Sequence, residues 1–144
     1  MFKPGVYRKG ELELTVASGK ILSRHLSGEV GAIVTFTGVT KAVSEDGRPV
    51  SRLLVEAYKE QADKVVKKIC REVKKKYGVA FVGVYHLVGE FKIGEPIVHV
   101  IVASKSRREA FEALTEAVKR YKSEPALWKK EVYSDGSSKW ISHQ

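Results

Sequence analysis

Three lysines surround a short apolar segment in the last quarter of the chain. The stretch YKSEPALWKKEVY (121–133) places Lys122, Lys129 and Lys130 on the two sides of Pro-Ala-Leu-Trp. If these amines share a pocket, the pocket attracts anions, and repulsion between the charges lowers their pKa values. If they do not converge, they are ordinary surface charges, and Lys122 alone is accounted for as a favourable cation at the end of a helix.

Alternation along a strand separates two of these lysines. If 127–133 is a strand, one face carries Leu127, Lys129, Glu131 and Tyr133. The other face carries Trp128, Lys130 and Val132. The alternation leaves open which lysine enters a site.

A second basic cluster lies at the predicted start of a helix. In SRRE (106–109), Ser106 is a candidate N-cap, and Glu109 is placed to reach back to the Ser106 amide in a capping box. Arg107 and Arg108 then occupy the first turn, where the helix dipole disfavours cations. A bound anion would reverse that preference, so the segment is either an anion site or a capped helix with solvated arginines.

Other reactive side chains point to structural roles. His86 and His99 fall on consecutive predicted strands and are predicted to share a face, but two imidazoles without nearby cysteines or paired carboxylates make a poor metal site. Cys70 is the only cysteine and lies at apolar helical spacing, so a buried, unreactive thiol is expected. The common phosphate-loop, dinucleotide, serine-hydrolase and zinc-protease motifs are absent from the sequence.

Composition narrows the class of protein. The 144 residues fit one domain spanning 1–144, and no apolar run is long enough to span a membrane, so we expect a cytoplasmic protein. A net charge of +9 favours nucleic acid, an acidic protein or a phosphorylated small molecule as partner. Much of that charge lies on one helix, where a solvated face is the simplest explanation: Lys64, Lys67, Lys68, Arg71, Lys74 and Lys75.

The apolar pattern predicts an α+β domain. Helices are expected at 60–77, where Tyr77-Gly78 supplies the stop, at 107–123 and, more briefly, at 18–27. The inner face of the second helix is predicted to carry Ala110, Phe111, Leu114, Ala117, Val118 and Tyr121. Strands are expected at 31–39, 51–58, 79–88, 96–104, 126–133 and 138–142. Hairpin turns at Asp46-Gly47, 92–95 and Asp135-Gly136 favour a mixed or antiparallel sheet covered by two long helices and one short helix.

Several segments, in order over residues 30–141, resemble the large, catalytic subunit of molybdopterin synthase. They are GAIVTFTGVTK (31–41), LLVEAYKEQADK (53–64), HLVGEFKIGEPIVHVIV (86–102), SRREAFEALTEAVKRYK (106–122) and PALWKKEVYSDGSSKWI (125–141). Each piece is weak alone. The combination of Lys122, Lys129 seven residues later, WKKE and an Asp-Gly hairpin is specific.

The resemblance implies an α/β hammerhead-type homodimer within a heterotetramer. Each end would bind a small ubiquitin-like sulfur carrier, whose C-terminal Gly-Gly thiocarboxylate enters a pocket and gives sulfur to cyclic pyranopterin monophosphate. Two such transfers make the dithiolene of molybdopterin. The resemblance implies no metal, no cofactor, no nucleic acid and no membrane for this step.

The resemblance also assigns residues. Lys122 and Lys129 match the catalytic lysines, while the substrate-binding positions are Val39, Thr40, Lys41, Ser106, Arg107, Lys130 and Glu131. Three positions depart from the common pattern: Ser106 stands where histidine is usual, Lys41 where arginine is usual, and Leu87 where arginine is expected after His86. Lysine keeps the charge of arginine but loses its bidentate fork.

Two other functions compete with this one. A basic nucleic-acid-binding module would use the +9 charge and the two tryptophans, although no RNP or GXXG signature occurs. A non-catalytic scaffold that binds a ubiquitin-like tail would share the partner but not the chemistry. Product formation separates the three.

Overall fold

The computed structural model describes residues 3–141, which form seven strands and three helices. The strands are β1 (Gly5–Arg8), β2 (Ala32–Val39), β3 (Val50–Ala57), β4 (Phe81–Lys92), β5 (Pro96–Ser104), β6 (Leu127–Tyr133) and β7 (Ser138–Ile141). The helices are α1 (Leu14–Arg24), α2 (Lys59–Tyr77) and α3 (Arg107–Tyr121). Ser142, the last residue of the final predicted strand, lies outside the described residues.

The strands form one mixed sheet in the order β2-β5-β4-β3-β6-β7. All neighbours along this path are antiparallel, and β1 adds a parallel pairing to β4. The predicted α+β fold, with a mixed sheet, two long helices and one shorter helix, is therefore confirmed. The order places β2 and β6 in different parts of the sheet.

Strand β4 is longer than the predicted segment 79–88 because it serves two ladders. Its first half pairs with β5, from Phe81 to His86, and its last residues pair with β3, from Gly89 to Lys92. Gly89 marks the change of partner and has a φ of 133°, which a residue with a Cβ rarely adopts. The change of partner carries the sheet from the helix-covered half to the β3-β6-β7 half.

Helices α2 and α3 pack on each other through small and branched side chains. Val66, Ile69 and Val73 of α2 are fully buried, as its predicted amphipathic pattern requires. The buried stripe of α3 is Ala110, Ala113, Ala117 and Tyr121. Phe111 was predicted to face inward, but it lies about 100° around the helix from Ala110, and 57% of it is exposed.

The N-terminal region differs most from the prediction. Helix α1 runs from Leu14 to Arg24, four residues before the predicted start, and β1 has no counterpart among the predicted strands. The free edge of β1 is covered by α2: the Val6 amide donates to Asp63 Oδ1 at 2.7 Å, and Lys59 Nζ donates to the Val6 carbonyl at 2.6 Å. This cover blocks further strand pairing at that edge.

Two of the three predicted hairpins join paired strands. The turn at 92–95 connects β4 to β5, and Asp135-Gly136 connects β6 to β7. The Asp46-Gly47 turn does not, because β2 pairs with β5 while β3 pairs with β4 and β6. That turn instead closes a small loop through a bridge between Val43 and Pro49.

Both faces of the sheet are covered around β4 and β5. Tyr121 of α3 contacts His86 with ring centroids 5.6 Å apart, while His25 after α1 contacts Phe81 at 5.0 Å. His86 and Phe81 point to opposite faces of β4 by alternation. Across residues 3–141, no helix combines the length and apolar character that crossing a bilayer requires.

Candidate active site

The end of α3 and the start of β6 bring two of the predicted catalytic residues to one cavity. Lys122 is the residue that ends α3, and Lys129 is the third residue of β6. Both line a pocket of about 400 Å³. Its apolar wall comes from β2, β3, β5 and the end of α3: Phe36, Val50, Leu53, Ile97, Val98 and Tyr121. A volume of this size suits a small-molecule ligand.

The end of β2 supplies the third predicted cluster. Val39, Thr40 and Lys41 all line the same pocket. Thr40 is fixed there, because its amide and its hydroxyl both donate to the Glu95 carbonyl at 3.0 Å. The three predicted groups at 39–41, 122 and 129 therefore converge, although they come from separate elements.

Lys129 has an altered acid–base character. Burial disfavours its charged form and, together with the nearby positive charge of Lys122, lowers the pKa of Lys129 from 10.5 to about 8. An amine with a pKa near 8 is present in both protonation states near neutral pH. It can therefore accept or donate a proton during a reaction.

Glu131 places a carboxylate on the same face of β6 as Lys129. It is 9% exposed and lines both the main pocket and a neighbouring cavity of about 320 Å³. The Tyr133 hydroxyl donates to Glu131 Oε1 at 2.9 Å. The two cavities also share Lys41, Glu45 and Ile141 in their linings, so they adjoin each other and together make up a cleft.

Three predicted site residues do not line the pocket. Lys130 points to the opposite face of β6, where its Nζ sits 5.4 Å from the ring centroid of Trp140. Ser106 and Arg107 are exposed at the start of α3. The 15 residues of α3 span about 22 Å, so this corner is a full helix length from Lys122.

Ser106 is the N-cap residue of α3, as predicted, but the capping box is not formed. Its amide donates to Ser104 Oγ at 3.4 Å, and its hydroxyl donates to the Glu109 carboxylate. The predicted bond from Glu109 to the Ser106 amide is therefore wrong, because Ser104 occupies that donor.

The remaining candidates from the sequence are two histidines and one cysteine, and the pairing of β4 with β5 fixes where the histidines point. His86 pairs with Val98, whereas His99 pairs with Tyr85, so the two histidines lie on opposite faces and the predicted shared face is wrong. His99 Nδ1 instead lies 2.7 Å from Thr37 Oγ1. Cys70 is buried, as predicted, and burial raises the pKa of its thiol to about 12.

The sequence reasoning missed the apolar wall of the pocket and the partner of Glu131. Tyr121 was predicted only as a core residue and Phe36 only as part of a strand, yet both line the pocket with their ring centroids 6.5 Å apart. Alternation along β6 already placed Tyr133 with Glu131, so that contact could have been found. Arg48, which bonds Tyr133, carries no local signal because it is distant in sequence.

Comparison with known proteins identifies the family of this chain. A family model described as MoaE protein matches residues 11–124. The molybdopterin synthase catalytic subunit of Pyrococcus abyssi is 38% identical over 116 residues, which cover 80% of this chain and 76% of that protein. The chain belongs to the MoaE family. The function that its homologues support is that of a molybdopterin synthase catalytic subunit, an enzyme that transfers sulfur in molybdopterin formation.

Solved structures share the fold over nearly the whole chain. The crystal structure of molybdopterin synthase from Staphylococcus aureus superposes with a TM-score of 0.86 at 26% identity, covering 99% of both chains. A complex of subunits 1 and 2 of molybdopterin-converting factor from Helicobacter pylori matches in fold, with a TM-score of 0.76 at 17% identity, covering 98% of this chain and 92% of that one. The MoaE fold thus accommodates wide sequence divergence.

Proposed function

We propose that this chain transfers sulfur from the C-terminal thiocarboxylate of a small ubiquitin-like carrier to cyclic pyranopterin monophosphate, and that two transfers form the dithiolene of molybdopterin. The convergence of Lys122 and Lys129 on one pocket carries the proposal. Membership of the MoaE family supports the reaction class. No metal or dissociable cofactor takes part in this step.

Lys129 is the proposed acid–base group. With a pKa of about 8, its amine is ready to exchange protons with the substrate near neutral pH. In its protonated form it pairs with the thiocarboxylate or with the charged intermediate of transfer. Its place in a half-buried wall strengthens that pairing relative to water.

Lys122 and Lys41 are the proposed anion anchors. Lys122 lines the pocket together with Lys129 and assists at the pterin, while Lys41 holds the precursor phosphate from the loop after β2. Val39 and Thr40 shape the wall beside them. A lysine at 41 makes a single charge contact where arginine would make a fork, so grip on the phosphate depends more on the other cations.

The small carrier subunit is the proposed protein partner. The likeness in fold to one chain of the Helicobacter pylori two-subunit complex is consistent with such an arrangement. Lys130 lies beside Trp140 on the outer face of β6, and about half of Trp140 is exposed. We propose that Lys130 contacts the body of the carrier there, because the exposed Trp140 beside it is of the residue type enriched at protein interfaces.

Ser106 and Arg107 are proposed to act through a homodimer. Within one chain the length of α3 keeps them about 22 Å from Lys122, so they can reach a pocket only on a second copy. Mixing inactive Lys129→Ala and Arg107→Ala proteins should then restore product, because a mixed dimer contains one pocket with both groups intact. Absence of restoration after verified subunit exchange would exclude this arrangement.

The deciding experiment is product formation. The purified chain, a thiocarboxylated carrier and cyclic pyranopterin monophosphate should give molybdopterin, and Lys122→Ala and Lys129→Ala should each abolish it while still binding the carrier. Lys119→Ala is the matched control, because Lys119 is an exposed α3 lysine outside the pocket.

The alternatives give different results in the same assay. A scaffold would bind the carrier without forming product. A nucleic-acid module would bind oligonucleotides with a steep salt dependence and would form no product either. Near-normal turnover in both lysine variants would remove the catalytic assignment.

A further inference from the structure

A chain of polar contacts runs from the loop after β2 to the carboxylate of the pocket. Arg48 Nη2 donates to the Tyr133 hydroxyl at 3.2 Å, and the Tyr133 hydroxyl donates to Glu131 Oε1 at 2.9 Å. Arg48 in turn pairs with Asp46 Oδ2 at 2.9 Å. The contacts therefore connect four residues one after another: Asp46, Arg48, Tyr133 and Glu131.

The chemistry of the groups fixes the direction of these bonds. A guanidinium has only donors, so the Tyr133 oxygen must accept from Arg48. The single hydroxyl proton of Tyr133 is then left for Glu131. This arrangement gives the nearly buried Glu131 a directed donor in place of the water from which it has been removed.

The same contacts hold the pocket loop. The Arg48 guanidinium stacks over the Tyr133 ring at 3.9 Å, and the Arg48 amide donates to Ser44 Oγ at 3.0 Å. Lys41 and Glu45, from this loop, line the same two cavities as Glu131. Arg48 itself lines neither cavity, and its contacts with Tyr133 and Ser44 connect it to residues that do.

We propose that Tyr133 and Arg48 are positioning residues: they aim the Glu131 carboxylate into the cleft beside Lys129 and fix the loop that carries Lys41. The consequence for turnover rests on the proposed sulfur-transfer function. The placing of the carboxylate does not, and it can be measured on the free protein.

A spectroscopic experiment tests the placing directly. The carboxyl ¹³C resonance of Glu131, identified by its loss in Glu131→Gln, should shift in Tyr133→Phe and in Arg48→Met. It should stay in place in Tyr58→Phe, the matched control, because Tyr58 is exposed and outside both cavities. An unmoved resonance in Tyr133→Phe would overturn the proposal, whatever reaction the protein catalyses.

A kinetic double-mutant cycle tests the consequence. Tyr133→Phe should raise KM for cyclic pyranopterin monophosphate by about tenfold, the loss of a hydrogen bond to a charged group, with kcat changed by less than about twofold. In a Glu131→Gln background the same substitution should have little further effect, because Tyr133 acts through that carboxylate.

The possible results separate this proposal from the proposed function. Equal effects of Tyr133→Phe in both backgrounds, or an unchanged KM, would overturn the positioning role. A wild-type protein that forms no product would refute the sulfur-transfer function, and the ¹³C measurement would still decide the placing of Glu131. Arg48→Lys should shift the Glu131 resonance less than Arg48→Met does, because lysine keeps one hydrogen-bond donor for Tyr133.

Discussion

Removing the charge of Lys122 should raise the pKa of Lys129. Burial is the larger cause of the low pKa of about 8 and the Lys122 charge is the smaller. In Lys122→Ala the pKa of Lys129 should therefore move upward but stay below 10.5. Lys119→Ala, which removes an exposed charge from the same helix, should leave the pKa of Lys129 unchanged.

The size of the effect follows from the shift in the wild-type protein. At pH 7 an amine with a pKa of about 8 is neutral in about one molecule in ten, roughly 300 times more often than an amine with a pKa of 10.5. The rate of any step that needs the free amine of Lys129 rises in proportion to this neutral fraction. Lys122→Ala should reduce the neutral fraction of Lys129 at pH 7, because it removes the smaller of the two causes of the low pKa.

The pKa can be read from the ¹³Cε resonance of Lys129 in lysine-labelled protein, assigned by its loss in Lys129→Arg. The sign for stability is also fixed: the unfolded chain binds the proton more tightly, so the free energy of unfolding should rise between about pH 8 and 10.5. The gain is about 3 kcal/mol at most, and Lys129→Met should lack it. A titration midpoint of Lys129 near 10.5 in the wild-type protein would refute the reasoning. So would a midpoint that is the same in Lys122→Ala as in the wild type.

Three further outcomes are expected from the fold. Asp63→Ala removes the acceptor for the Val6 amide, and urea unfolding should show a free energy of unfolding lower by about 1–3 kcal/mol. Lys59→Ala should cost less, because the Lys59 side chain is exposed. Cys70 should react with a thiol reagent at pH 8 only as fast as the protein unfolds, because the thiol is buried and its pKa is about 12; fast labelling of folded protein would contradict this. Gly78→Ala should cost about 1 kcal/mol, since Gly78 ends α2 at a φ of 63°, and an unchanged thermal midpoint would argue against that cost.

Periodicity predicted the elements that have a single, uniform environment. Helix α2 faces the core with one stripe throughout, so its apolar spacing predicted its extent, and Tyr77-Gly78 predicted its stop. Strand β6 alternates regularly, so its sequence alone predicts that Lys129 and Glu131 share one face. The pattern failed for Phe111, where a large apolar residue lies just outside the buried stripe of α3.

Features that depend on partners distant in sequence could not be predicted in this way. Strand β1 is four residues long and is held by α2 and β4, so its own sequence carries little pattern. The contact of Arg48 with Tyr133 likewise depends on the pairing of β3 with β6. The resemblance to the synthase family supplied the residues of the site, and the fold showed which of them share a cavity within one chain.

The cleft joins the loop after β2 to the C-terminal hairpin, two regions widely separated along the polypeptide. A molecule bound there contacts both regions, so it holds them together and binds only the folded chain. Mass action then opposes unfolding by about 2.7 kcal/mol at a hundredfold excess over the dissociation constant. A melting-temperature screen can therefore rank candidate precursors for this site without a functioning carrier.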